Sequence, residues 1–182
     1  MTEQSILTTT ADSMADSGDI NEGGHPLLLL LHSLQDNRAA MAHLRRGLGQ
    51  PRSMAPEMHR YLLPLLPDRI SRWDEQSYYL IAALFASHPR STTTGNLGEH
   101  FARTIVQAGD SGREAVERRF MALLDAHPDD LAFHLRQAIA YLRAREETPV
   151  NWQRLLYDVM DWGRHNRRPE VQRRWAQGFW RR

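Results

Sequence analysis

Apolar residues recur at three- and four-residue spacing along most of the chain after residue 25. That is the period of helices with one buried face. A leucine-rich segment, 26–35, begins the pattern. Asp36 stands where it can cap a second helix, in which Met41, Leu44 and Leu48 fall at helical spacing and Gly47 and Gly49 supply the stop. Pro56 suits an early position in a third helix running to about Leu66, with Pro64 near its end. Ser71 followed by Asp74 is a capping signature ahead of WDEQSYYLIAALFAS, 73–87. The middle of that segment is apolar all round, which predicts a helix at the centre of the core.

A polar run, HPRSTTTGN (88–96), interrupts the pattern and marks the best boundary between an N-terminal half, 25–90, and a C-terminal half, 91–182. The two halves are expected to pack as one unit. Helices are predicted beyond it over 97–108, closed by Gly109 and Gly112, and over 113–126, with Val116, Phe120, Leu123 and Leu124 on one face. Pro128 opens 129–146, whose stripe is Leu131, Leu135, Ala138, Ile139 and Leu142. Pro149 and Asn151 open 151–162, and a last helix from about 169 carries Val171, Trp175 and Phe179. No β alternation of useful length and no fixed-period repeat occur. The expected fold is all-α, a compact bundle of about eight to nine helices. Residues 1–24, rich in Thr, Ser, Asp and Gly, read as a disordered acidic leader.

Charge changes this picture. All 23 basic residues are arginine, and lysine is absent. High-GC genomes encode Arg in place of Lys, so the absence reads first as codon bias, and placement has to carry any functional argument. Residues 1–37 hold six acids and no base, whereas 38–182 hold 23 arginines against 16 acids, a net +7. A basic body thus follows an acidic leader. Arginine presents a planar fork of donors that suits phosphate and keeps its charge.

Candidate chemistry is sparse. The absence of cysteine excludes disulfides and thiolate nucleophiles and fits a cytoplasmic protein. The longest apolar run, Leu27 to Leu31, is five leucines, far short of the roughly 20 residues a membrane helix needs, and 1–24 lack the features of a secretory signal. There is no glycine-rich phosphate loop, no GxSxG elbow and no HExxH. His127 and His134 share a helical spacing but have no acid at ligand distance in sequence. Asp129-Asp130 and Glu146-Glu147 read as helix-end acids rather than a two-metal site. No catalytic residue, metal or cofactor is expected.

The arginines are patterned. Arg45-Arg46 close the second helix, where cations complement the helix dipole. Arg118-Arg119 lie beside the Val116/Phe120/Leu123 stripe, and Glu114 precedes Arg118 by four, the spacing of an ordinary ion pair. Arg136 and Arg143 are seven apart on one stripe, and Arg145 follows. Arg167, Arg174 and Arg181 are also seven apart, and 163–182 carry seven arginines against Glu170. A charge run is commonly a solvated face, but stripes on several helices can merge into one basic surface when the helices pack. Phosphate of nucleic acid, an acidic partner protein, and the acidic leader folding over the body all fit at this point. Trp180, off the Val171/Trp175 stripe, is a candidate base-stacking aromatic or an ordinary surface tryptophan.

Three stretches resemble the CasB family, the small subunit of the type I-E CRISPR Cascade surveillance complex. They are HLRRGLGQPRSMAPEMHRYLLPLLP (43–67), TTGNLGEHFARTIVQAGDSGREAVERRFMALLDA (93–126) and HLRQAIAYLRAREETPVNWQRLLYDVMDWG (134–163), in order over about half of the chain. The resemblance implies an all-helical, non-catalytic subunit. It would stabilise a guide RNA–target DNA duplex and the displaced single strand through a basic surface, beside other Cascade subunits and a second copy of itself. Sequence specificity would come from base pairing and phosphate contacts from the protein. The family's basic landmarks match Arg45, Arg46, Arg118, Arg119 and Arg136; Arg60, Arg143 and Arg145 are added from helical geometry. The alternative is a structural subunit whose Arg stripes meet acidic partner surfaces.

Overall fold

The computed structural model describes residues 24–49, 55–145 and 148–181, with 106–111 described by their backbone. The expected leader lies outside the described residues, apart from Gly24. The described chain is all-α, with no strand among these residues.

Helix α1 (Pro26–Ser33) is capped by His25, whose Nδ1 accepts the Leu27 amide at 3.1 Å. It buries Leu27, Leu28 and Leu31. Helix α2 (Arg38–Arg45) starts one residue later than its expected cap. Asn37, not Asp36, accepts the Ala40 amide, at 3.0 Å. Starting there turns Ala40, Met41 and Leu44 inward. A 3-10 turn over 46–49 follows. The expected third helix is broken into a 3-10 turn (Pro56–Met58), a short α3 (His59–Leu62) and a second 3-10 turn (Leu63–Leu65). Pro64 has no N–H to donate and its ring crowds the turn before it, which stops α-helical geometry.

Ser71 caps α4 (Arg72–Ser87) by accepting the Asp74 amide at 3.1 Å. Every residue from Ser77 to Ala86 is buried, and α4 packs against α1, α2, α6 (Leu131–Ala144) and α7 (Trp152–Trp162). It is the axis of the core, as its all-round apolar sequence predicts. The polar segment after it is stitched to the start of α7: Thr92 N–H donates to the Val150 carbonyl and Val150 N–H to the Arg90 carbonyl, each at 3.1 Å. Trp152 reaches back to Phe85, ring centroids 5.8 Å apart, and the apolar core is continuous from α1 to α8 (Arg168–Trp180).

Helix α5 (Leu97–Leu124) departs from expectation. Its first turn carries a full capping box between Asn96 and Glu99. One helical span covers Gly109 and Gly112, where two separate helices were expected. Yet the rings of Phe101 and Phe120 lie 5.5 Å apart. Nineteen residues of straight helix would separate them by about 28 Å. The helix therefore folds back on itself between Thr104 and Val116, giving two arms. Glycine is a usual seat of sharp kinks, and Gly109 and Gly112 fall within the stretch that reverses, so two arms stand where two helices were expected. Helix α8 rests on both arms. Gln172 Nε2 donates to the Leu124 carbonyl at 2.7 Å, and Asn96 Nδ2 to the Arg174 carbonyl at 3.4 Å. A Cβ at Gly98 would stand 1.9 Å from the Trp175 carbonyl oxygen, so only glycine permits this approach.

Candidate nucleic-acid interface

The reversal of α5 builds a small basic platform on Tyr141, near the end of α6. The Tyr141 ring stacks on Phe101 of the first arm, centroids 5.6 Å apart and planes at 24°. Its hydroxyl donates to Thr104 Oγ1 at 3.2 Å, and Thr104 is fully buried. The ring is thus held by one arm of α5. From the other arm Arg119 places its guanidinium 5.1 Å from the same ring, and Arg145 from α6 lies 5.4 Å away. Arg119 also donates to the Ala115 carbonyl at 3.3 Å. Arg118 beside it is exposed, with no ion pair among the described residues. The ion pair found on this arm is Arg113–Glu117 at 3.2 Å, and not the Glu114–Arg118 pair that spacing suggested. Two charged forks meet one aromatic ring, and among the described residues no carboxylate pairs with either.

Arg136 and Arg143 stand on the other flank of α6, roughly 140–180° around the helix from Tyr141 and Arg145. They line a groove with Leu48, Leu84, Phe133 and Ala140, and Phe133 is 53% exposed. Arg45 ends α2 and Arg46 begins the 3-10 turn that leads to Leu48 of this groove, and both are engaged. Arg45 Nε donates to the Ala86 carbonyl at 2.9 Å, which satisfies an orphan acceptor at the end of α4. Arg46 pairs with Glu57 at 2.8 Å. The Glu57 carboxyl is held below its ordinary range by its own backbone N–H and by this arginine. Arg60 lies over the neighbouring Tyr61 ring at 5.2 Å. The eight sequence-selected arginines therefore divide. Arg119 and Arg145 come together at Tyr141, Arg118 is exposed next to Arg119 in the chain, Arg136 and Arg143 form a separate flank, and Arg45, Arg46 and Arg60 have local partners.

Some basic residues are structural. Asp158 of α7 is 1% exposed and accepts from Trp175 Nε1 at 2.6 Å and Arg174 Nη2 at 2.5 Å, with Arg154 Nε at 3.0 Å. Burial pushes its carboxyl up, against the pull of the two guanidiniums and the indole. This cluster pins α7 to α8 and removes Arg174 from the expected surface stripe. Arg164 pairs with Asp161 and Asp74. His100 is buried, and its Nε2 accepts the Asn151 amide at 3.0 Å. Desolvation, helped by Arg103, lowers its pKa to about 4. Trp180 is 47% exposed, with its ring edge on Phe120 and Phe179. No group of three His, Asp or Glu suited to a metal occurs among the described residues, and no helix there is long and apolar enough to cross a membrane. Sequence reasoning missed Arg103 and placed Arg181 only in the Arg167/Arg174/Arg181 stripe; the two share a groove between α5 and α8. The signal was the close-packing glycines, Gly98 and Gly178, and not the arginines.

The family model described as CRISPR-associated protein Cse2 matches residues 40–180. A CRISPR-associated protein Cse2 of Thermus thermophilus is 35% identical over 161 residues, covering 86% of this chain and 89% of that protein. The crystal structure of a Cse2-family protein from the same organism superposes with a TM-score of 0.71 at 33% identity, covering 85% of this chain and 95% of the other. A chain of a CRISPR RNA-guided surveillance complex matches with a TM-score of 0.66 at 28% identity, covering 84% and 92%. The crystal structure of M. ruber CasB matches with a TM-score of 0.67 at 26% identity, covering 86% and 94%.

Proposed function

Because the chain belongs to the CRISPR-associated Cse2 (CasB) family, we propose that it is the small subunit of a Cascade-type, RNA-guided DNA surveillance complex. In this reading it holds nucleic acid and does not cut it. Its partners are the guide RNA paired with target DNA, the displaced single strand, the other Cascade subunits and a second copy of itself. The observation that carries the phosphate-binding part is the Tyr141 platform, where Arg119 and Arg145 converge on one ring with no carboxylate partner among the described residues, and Arg118, next to Arg119 in the chain, is exposed. Such forks neutralise phosphates and release counterions. Sequence preference is weak because backbone phosphate carries no base information.

The test is a mobility-shift titration of the purified chain with single-stranded oligonucleotides and an RNA–DNA hybrid at low and high salt. Binding that weakens steeply with salt supports the reading. No shift of any oligonucleotide at low salt removes the phosphate role, and loss of labelled DNA on adding a divalent metal would make the protein a nuclease instead. The other flank of α6 favours a different contact. The exposed Phe133, with Leu48 and Ala140 between Arg136 and Arg143, suits a partner protein with an apolar centre and an acidic rim, the protein–protein role set beside nucleic-acid binding at the outset.

A further inference from the structure

The concentration of arginine toward the C-terminus is not used by the Tyr141 platform. A groove runs between the first arm of α5 and the C-terminal half of α8, with Ala102 and Gly178 among its lining residues. Arg103 enters it from α5, and Arg174, Gln177 and Arg181 enter from α8. Arg103 and Arg181 are exposed, and neither guanidinium has an ion pair or hydrogen bond among the described residues. Arg174 is anchored from beneath by Asp158, while its buried Nε has no partner. The acid in the groove, Glu99, is turned to the backbone. Its Oε1 accepts the Asn96 amide at 3.3 Å, completing the capping box.

We propose that this groove is a second phosphate site, separate from the Tyr141 platform, which takes the sugar–phosphate backbone of single-stranded nucleic acid. Arg103 and Arg181 grip phosphates, and Gln177 offers an amide to sugar or base. The proposal rests on the nucleic-acid reading above. A single strand is favoured because its bases are free to meet Gln177 and the wall formed by Ala102 and Gly178, whereas a duplex turns its bases inward. Phe101 and Thr104 face Tyr141, while Ala102 and Arg103 face α8. The two sites thus occupy different flanks of one helical arm, and a strand crossing that arm meets both.

The experiment measures binding of a labelled oligothymidylate, roughly 20 nucleotides long to span such a site, and of a duplex of equal length. Both are titrated across a range of NaCl with the full chain, Arg103→Ala/Arg181→Ala, and Arg119→Ala/Arg145→Ala. Loss of two phosphate contacts lowers the slope of log K against log salt by about 1.4 for a single strand, with about tenfold or greater weakening at low salt. Duplex affinity falls less and the melting temperature is unchanged. An unaltered slope in Arg103→Ala/Arg181→Ala overturns the site. If Arg119→Ala/Arg145→Ala still lowers the slope, the Tyr141 reading survives that failure. Equal or larger loss for the duplex overturns the single-strand assignment. A polyglutamate probe that depends on Arg103 and Arg181 while the oligothymidylate does not would assign the groove to an acidic protein segment and overturn the proposal. A wild-type chain that binds no oligonucleotide sinks both readings.

Discussion

An arginine in this protein means different things in different surroundings. Arg174 and Arg154 face the buried carboxylate of Asp158, so their charge is used inside the fold. Arg118 has no such partner among the described residues, and Arg119 spends one face of its guanidinium on Tyr141. Arg118→Ala with Arg119→Ala should therefore weaken oligonucleotide binding about tenfold at low salt and cost about 1 kcal/mol or less in stability, the worth of an exposed cation–π contact. Paired titration and thermal melts check this, and a large fall in melting temperature with unchanged affinity would make the pair structural. Phe120→Ala is the opposite case. Its ring meets Phe101 and Phe179, so the loss is about 3–5 kcal/mol, read by denaturant unfolding. His100 gives a pH dependence. Its folded pKa of about 4 lies below the ordinary value of 6.5, so the unfolded chain takes up the proton first as pH falls. This contribution is complete above pH 6.5, is lost between there and about 4, and amounts to about 3 kcal/mol at most. His100→Gln keeps an acceptor for Asn151 and should flatten stability curves across that window. An unchanged pH slope would show that His100 is not the group responsible.

Elements were legible wherever a local signal agreed with tertiary demand. Ser71, Asn151 and Pro128 mark true starts, because caps and prolines act on the backbone next to them. The all-round apolar sequence of α4 placed it at the centre. Asp36 and Asn37 are both competent caps, and burial of Ala40, Met41 and Leu44 chose Asn37. Two glycines in α5 read as a stop but became a reversal, since helix propensity disfavours glycine by only about 1 kcal/mol and the contacts of Phe101, Phe120 and Tyr141 outweigh that. Gly98 belongs to this scale as well. Gly98→Ala drives a methyl into the Trp175 backbone, so α8 must shift from the first arm. A clear drop in melting temperature and faster amide exchange in α8 are expected; an unperturbed α8 would show that the crossing has slack.

At the scale of the whole molecule, the boundary drawn at 88–96 becomes a question of cooperativity. Trp152 contacts both Phe85 and His88, and Val150 bonds to Arg90 and Thr92. We propose that 25–90 and 91–182 unfold together, seen as coincident transitions by tryptophan fluorescence and far-UV circular dichroism. Two resolved transitions would establish independent halves. The sequence by itself determined the helical class, the central helix, the excess of arginine in the body and the membership of a family, because period, composition and motif order are properties of the chain alone. Which arginines act together was decided only by tertiary structure. Arg119 and Arg145 share Tyr141 because α5 reverses, Arg103 and Arg181 share a groove because Gly98 lets α8 approach, and Arg174 is withdrawn because Asp158 is buried beneath it. Convergence of charge depends on distances between residues far apart in sequence, and helical periodicity carries no information about those distances.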